Sequence, residues 1–242
     1  MSNLLFTSIG RRNQLVRHFK NHGWHIIGVD IDPEGCASQE SADVILKVPP
    51  SQDPRYFDRL LDICQTHQVD VLIPLYEPEL ANLSELRPAF RRQGVEAVVS
   101  GKDTLDICLD KYKLYLFLKD YAFLTPETYL KWGGGAGQTK WVVKPRFGMG
   151  GKDVYIAEPD EVPFYFKKVS QPIVQKYIEG QEYSVDVFVG RNGQVLSVVP
   201  RLRLEVRGGE VSKSMTVEDR EITNQTIDLV KKLGIYGPAT LQ

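Results

Sequence analysis

The sequence predicts an α/β domain built on a doubly wound parallel sheet, followed by an α+β half. Three observations predict it. The first hundred residues alternate short apolar runs with amphipathic stretches, the rhythm of strand and helix in turn. Several of those runs are apolar almost throughout, as strands buried on both faces are. From Thr125 the texture changes to strands with little helix between them, until a helical stripe returns at Glu221.

Taken in order, NLLFTSI reads as the first strand and RRNQLVRHFKNH as the helix after it. Gly23 then suits a left-handed C-terminal cap. WHIIGVD, DVILKV, VDVLIP and VEAVVS supply the further strands. After Pro54, Phe57, Leu60, Leu61 and Cys64 fall at i, i+3, i+4 and i+7, the stripe of a helix packed on one side of a sheet. A helix over 103–121 puts Leu105, Cys108, Leu109, Tyr112 and Leu116 on one face. It reads as a bridge, 102–124, after a first domain of residues 1–101. WVVKP, DVYIA, PIVQKYI, YSVDVFV and QVLSVVPRLRLEV follow as strands, with WGGGAGQ as a flexible connection. The last helix, 221–233, carries Ile222, Thr226, Leu229, Val230 and Leu233 on one face and is closed by Gly234.

The composition narrows the function. With 242 residues, 42% of them hydrophobic, the chain has material for a substantial core. A net charge of −1 with interspersed signs gives no basic stripe, so no nucleic-acid partner is expected. No apolar run approaches the ~20 residues that span a bilayer, and no basic leader opens the chain. A cytoplasmic protein with no membrane partner is the expectation. Three scattered cysteines, Cys36, Cys64 and Cys108, form no C-x-x-C pair and suggest neither disulfide framework nor zinc site.

The sharpest motif is WVVKPRFGMGGKDVYIA. A strand ends in Lys144, a glycine-rich turn follows, and a second strand begins near Asp153. Gly148, Gly150 and Gly151 lack side chains that would keep a polyphosphate from the backbone N–H groups, and Lys144 adds a full positive charge at the base of the loop. The order G-x-x-x-x-G-K-[ST] is absent and no helix follows the glycines, so this is not a Walker A loop. On pattern alone the segment is equally a hairpin with a glycine-rich turn and a solvated lysine. About thirty residues later comes PIVQKYIEGQEYSVDVF, strand, break and strand, with carboxylates at Glu182 and Asp186.

With these two segments the chain resembles the ATP-grasp superfamily, and within it the carbamoyl-phosphate synthase large chain and related carboxylate-amine ligases. The likeness runs over nearly the whole chain. It implies a Rossmann-like pre-ATP-grasp domain over 1–101, a small grasping subdomain over 125–180 and a large one over 181–242 that looks truncated. By the same resemblance, Lys144 and Lys111 reach the nucleotide phosphates beneath a loop of Gly148, Gly150 and Gly151. Gln175, Lys176, Tyr177 and Ile178 match the hinge whose backbone reads the adenine edge, although Gln175 replaces the acidic residue common there. Glu182 matches the carboxylate that takes the ribose hydroxyls. RLRLEVRGGEVSKSMTVED lies where the family meets the transferred phosphoryl group, which makes Lys213 and Arg207 the candidates to stabilise its charge. Arg201 and Arg203 also fit there, and equally fit any half-exposed strand.

The family's magnesium ligands are an acidic or glutamine residue followed by Glu-x-Asn. Gln242 matches the first, and the Glu-x-Asn strand does not follow it in this sequence. The resemblance therefore implies ATP and Mg2+ as cofactors, with three readings open: a fragment, a site completed by another chain, or a protein that binds nucleotide without turning it over. In the first domain G-x-G-x-x-G is absent, which speaks against a nicotinamide enzyme. Ligands in such sheets sit beyond the carboxyl ends of the strands, where Ser8, Arg11, Asp30 and Glu77 are expected. The function implied is an ATP-dependent ligase that joins a small-molecule carboxylate to an amine through an acyl phosphate, and a homodimer is one expected form. The alternative is a non-catalytic nucleotide-binding or regulatory module.

Overall fold

The computed structural model describes residues 2–134, 140–207 and 210–242, and the chain divides into two compact units, Met1–Lys102 and Asp103–Gln242. Most of the WGGGAGQ connection lies outside the described residues.

The first unit runs β1 (Asn3–Phe6), α1 (Asn13–Asn21), β2 (His25–Asp30), β3 (Val44–Lys47), α2 (Tyr56–Thr66), β4 (Val71–Ile73), α3 (Leu80–Arg92) and β5 (Glu96–Ala97). Its five strands are all parallel, in the order β3-β2-β1-β4-β5. The apolar runs explain the burial: Leu5, Phe6, Ile26, Ile27, Val29 and Leu72 are wholly inaccessible. Gly23 takes a φ of 84° after α1, the left-handed turn read from the sequence. Gly28 is needed for another reason, since a Cβ there would stand 2.6 Å from the Ile9 side chain. The chain order reverses between β1 and β4, so the segments after Phe6 and Ile73 lie at the switch point of the sheet. In α2 the buried side chains are Tyr56, Leu60, Ile63 and Cys64, a face turned slightly from the expected one. α3, with Pro88 inside it, adds a helix that the apolar pattern does not mark.

The second unit opens with α4 (Lys102–Cys108) and α5 (Lys111–Asp120). This corrects the single helix expected over 103–121. Asp110 adopts an extended conformation and its carboxylate accepts the N–H groups of Tyr112 and Lys113, so it stops one helix and caps the next. The phase shifts accordingly: Tyr115 is buried, whereas Leu116 of the expected stripe is exposed.

β6 (Thr128–Tyr129), β7 (Trp141–Pro145), β8 (Tyr155–Ala157), α6 (Val162–Lys168) and β9 (Pro172–Lys176) follow, and their strands form an antiparallel sheet in the order β6-β9-β7-β8. Trp141, Val143, Val162, Val169 and Val174 make its core. A second antiparallel sheet, β12-β11-β10-β13, is built from β10 (Tyr183–Val189), β11 (Val195–Arg207), β12 (Glu210–Thr216) and β13 (Gly237–Leu241). α7 (Arg220–Leu233) packs Val230 against Val187 and Val189 of this sheet. Asp219 caps α7 by accepting the Ile222 N–H at 2.9 Å, and Gly234 ends it at a φ of 69°. Among the described residues no helix is long and apolar enough to cross a membrane.

Candidate nucleotide site

Lys144 stands on β7 opposite Ile173 of β9, one residue before the end of the strand. β7 and β8 pair antiparallel, so the intervening segment is the loop of a hairpin. Gly148, Gly150 and Gly151 have φ of 103°, 72° and 67°, a region that side chains other than hydrogen rarely enter. A Cβ at Gly148 or Gly150 would meet nothing within 4 Å. Backbone conformation therefore demands these glycines, and the space beside them is open.

Lys144 is partly buried and has no hydrogen-bond or ion-pair partner among the described residues. Burial, and then the charge of Lys111, lowers its ammonium from the ordinary 10.5 to about 8. Lys111 is the first residue of α5. Its ammonium donates to the Gly148 carbonyl at 2.7 Å and to the Arg146 carbonyl at 3.3 Å. Two lysines from elements far apart in sequence thus meet at the root of the glycine loop. Such a pair repels itself and is relieved by an anion.

At the expected hinge, Gln175 pairs with Thr128 of β6 and donates its side-chain amide to the Thr128 hydroxyl at 2.9 Å. The Lys176 and Tyr177 N–H groups donate to the carbonyls of Glu127 and Lys140. Ile178 lies past the strand and is 61% exposed.

The remaining candidates lie on or beside the second sheet. Glu182 accepts Arg203 at 2.7 Å and the side-chain amide of Gln242, the expected metal position. Asp186 accepts Arg201 through both oxygens and the Thr240 hydroxyl at 2.9 Å. Hydrogen bonds from Arg201 and Thr240 outweigh burial and hold the Asp186 carboxyl below its usual range. The Arg203 side chain is only 4% exposed. Lys213 and Arg207 instead converge on Glu205, at 3.2 and 2.6 Å, and both are well exposed. No group of three or more His, Cys, Asp or Glu capable of holding a metal is assembled among the described residues. With Glu182 and Asp186 each engaged by an arginine, these residues do not fit a magnesium ion, which takes several oxygen ligands.

In the first unit, the Ser8 hydroxyl donates to Glu79 at 2.7 Å, and Asp30 accepts the Gly10 and Asp32 N–H groups. Arg11 is exposed and Glu77 half-buried. Sequence reasoning missed Asp110 and Arg146 in the second unit. They form a bidentate ion pair beside the lysines. The aspartate immediately before Lys111 was the available signal.

Residues 4–98 match the family description "PylC-like, N-terminal domain" and residues 108–239 match "ATP-grasp domain". A carbamoyl-phosphate synthase of Methanobrevibacter smithii is 27% identical over 156 residues, covering 61% of this chain and 42% of that protein. A tyramine–L-glutamate ligase of Methanocaldococcus fervens is 27% identical over 197 residues, covering 79% of this chain and 60% of the relative. The chain thus spans about half the length of these curated relatives. Among solved structures, an L-amino acid ligase from Bacillus licheniformis superposes with a TM-score of 0.75 at 17% identity, over 99% of this chain and 62% of that one. N5-carboxyaminoimidazole synthetase from Staphylococcus aureus, complexed with ADP, gives 0.73 at 16%, over 99% and 65%. These likenesses establish the fold. With more than half of its residues under the second description, the chain belongs to the ATP-grasp family.

Proposed function

We propose that the chain binds ATP with its phosphates between Lys111, Lys144 and the glycine loop, and that it serves an ATP-dependent ligase joining a carboxylate to an amine. The observation that carries this reading is Lys144, a partly buried amine whose side chain has no partner among the described residues, which feels the charge of a second lysine and stands just before a loop of left-handed glycines. Burying this amine and placing it near a second positive charge both cost free energy in the ligand-free protein, and a polyphosphate offsets both. The adenine would lie against the backbone at Gln175 to Ile178, and the ribose hydroxyls against Glu182, which would exchange Arg203 or Gln242 for them. The small subdomain over 125–180 and the large one over 181–242 would then grasp the nucleotide from two sides.

In the reaction proposed, a carboxylate oxygen attacks the γ-phosphorus as the bond to ADP breaks. The amine nitrogen then attacks the acyl carbon, a C–N bond forms, and phosphate leaves with loss of one proton from nitrogen. Phosphoryl transfer asks for positioning and charge neutralisation. Lys111 and Lys144 supply both at the β- and γ-phosphates, and Lys213 and Arg207 are candidates near the acceptor. A carbamoyl-phosphate synthase and a tyramine–L-glutamate ligase among the relatives support acids and amines as the substrate class.

The test is ADP-dependent stabilisation on heating, compared between wild type and Lys144→Ala. Wild type should melt higher with ADP and Lys144→Ala should not. An equal shift in both would sink the site. ADP release in the presence of carboxylic acids and amines separates the ligase from a module that only binds nucleotide.

A further inference from the structure

Arg146 follows Lys144 by two residues and by position alone is a candidate for one more phosphate cation. Its contacts say otherwise. The guanidinium is committed to Asp110, Nε to one carboxylate oxygen and the adjoining amine nitrogen to the other. It also lies 5.3 Å from the ring centroids of both Tyr112 and Phe147. Asp110 is itself 2% exposed and accepts the Tyr112 and Lys113 N–H groups at 3.0 and 3.2 Å, so its position is fixed by the start of α5. Arg146 is fixed in turn by its own N–H, which donates to the Gln171 carbonyl at 3.1 Å. Its carbonyl accepts both the N–H and the ammonium of Lys111. A continuous run of contacts therefore joins Asp110, Arg146, Lys111 and Gly148.

We propose that Asp110 and Arg146 are positioning residues: their ion pair fastens the root of the glycine loop to α5, so that Lys111, Lys144 and the loop N–H groups address one polyphosphate. The inference rests on the nucleotide site proposed above. It assigns the pair an effect on nucleotide affinity without contact to the nucleotide. Arginine is required because its planar fork matches a carboxylate through two bonds, which a lysine cannot do. Aspartate is required because it caps and pairs at once. Neutralising the pair also leaves the net charge facing the ligand with Lys111 and Lys144. If the pair is lost, the Lys111 hydrogen bonds to the Arg146 and Gly148 carbonyls are left to join the loop root to α5, and the separation of the two lysines is held less firmly.

ADP affinity of the 242-residue chain tests this by calorimetry in wild type, Asp110→Asn, Arg146→Gln, the double variant, Arg146→Lys and Lys144→Ala. Asparagine caps helices about as well as aspartate, so Asp110→Asn removes the ion pair and keeps α5. Melting without ligand identifies any variant that fails to fold, and Arg146→Lys then substitutes for Arg146→Gln. Each single variant should bind ADP about tenfold more weakly, with the double no weaker than the worse single, as residues acting as one unit behave. Arg146→Lys should recover only part of the loss. The pH at which ADP affinity begins to fall should also move upward in Arg146→Gln, because Lys144 is freed from Lys111, a change that general destabilisation does not produce. Losses below about threefold, or losses that multiply in the double variant, overturn the inference. If Lys144→Ala binds ADP like wild type, the nucleotide site itself is wrong, and the two failures are thereby told apart.

Discussion

Loss of one proton from the Lys144 ammonium should move nucleotide binding and fold stability in opposite directions. Burial and Lys111 bring its ammonium from 10.5 to about 8, and that difference corresponds to ~3 kcal/mol between the two protonation states. In the ligand-free protein the folded chain gives up this proton first. From about pH 8 to 10.5 the unfolded chain therefore binds more protons, and stability rises with pH, by at most ~1.4 kcal/mol per pH unit. A phosphate beside the amine favours the charged form and reverses the preference. ADP affinity should be nearly level around pH 7, where the phosphate has already lost its second proton, and weaken above pH 8, approaching tenfold per unit. The assay is calorimetric titration of ADP from about pH 7 to 9.5 with wild type, Lys144→Arg and Lys144→Met. Arginine stays charged throughout, so its curve should be flat across the same range. Wild-type affinity that holds within about twofold to pH 9.5, while Lys144→Met binds more weakly at every pH, would refute the reasoning: the site would exist without the titration that its burial demands.

Glu79 in the first unit is wholly buried, and its second carboxylate oxygen has no hydrogen-bond partner among the described residues. Burial, with the charge of Asp30 adding to it, raises its pKa. The folded state then keeps a proton that the unfolded chain releases near ~4.3, so stability falls as pH rises, and Glu79→Gln should remove that component in urea titrations from about pH 5 to 8. A wild-type-minus-variant difference independent of pH would exclude it. Asp219→Ala, by removing the cap on Ile222, should lower urea stability by ~1 kcal/mol, whereas Asp219→Asn should keep it; equal midpoints for all three proteins would show that the cap contributes nothing. Gly148→Ala forces a side chain into a φ of 103° and should cost ~1–3 kcal/mol of loop strain. Weaker ADP binding and a melting temperature lowered by a few degrees are expected, and unaltered binding would count against a nucleotide beneath this loop.

Much of this was legible before any coordinates, and the reasons are physical. The strands of the first unit are apolar nearly throughout because both faces are covered, so they stand out in any window. The left-handed turns at Gly23 and Gly234 were readable because no other residue is as well suited there. Lys144 and its glycines were readable because composition and order coincide over a few residues. α6 was not, since its seven residues, VPFYFKK, are too short for a helical stripe to repeat and begin beside a proline. α3 was hidden by Pro88 and a weak apolar face. The break at Asp110 was missed because leucines and tyrosines on either side continue one helical phase through it. A cap interrupts the backbone without interrupting that pattern. Arg146 was the hardest case, because its partner lies thirty-six positions away and no local rule connects them.

The distribution of charge pairing ties these observations to one site. On the second sheet the arginines that the sequence left open as ordinary strand residues, Arg201 and Arg203, each hold a carboxylate, Asp186 and Glu182. Lys213 and Arg207 share Glu205, and Arg146 is held by Asp110. Each of these cations is balanced within the chain. At the glycine loop the arrangement differs: Lys111 donates to two carbonyl oxygens, and the Lys144 amine has no side-chain hydrogen-bond or ion-pair partner among the described residues while the charge of Lys111 acts on it. Burying like charges together opposes folding, and the left-handed Gly148 and Gly150 leave the backbone beside them open to a ligand. A chain that pairs these cations with carboxylates while leaving the Lys144 amine beside a second lysine, with no side-chain partner among the described residues, has its free energy of anion binding concentrated there. The same logic predicts the phenotype of overcompensation. Introducing a carboxylate close in sequence to Lys144, as in Phe147→Glu, should raise the Lys144 pKa and stabilise the ligand-free fold near neutral pH, a gain that fades as pH rises above about 8, while weakening ADP, and a variant that strengthened both would contradict it.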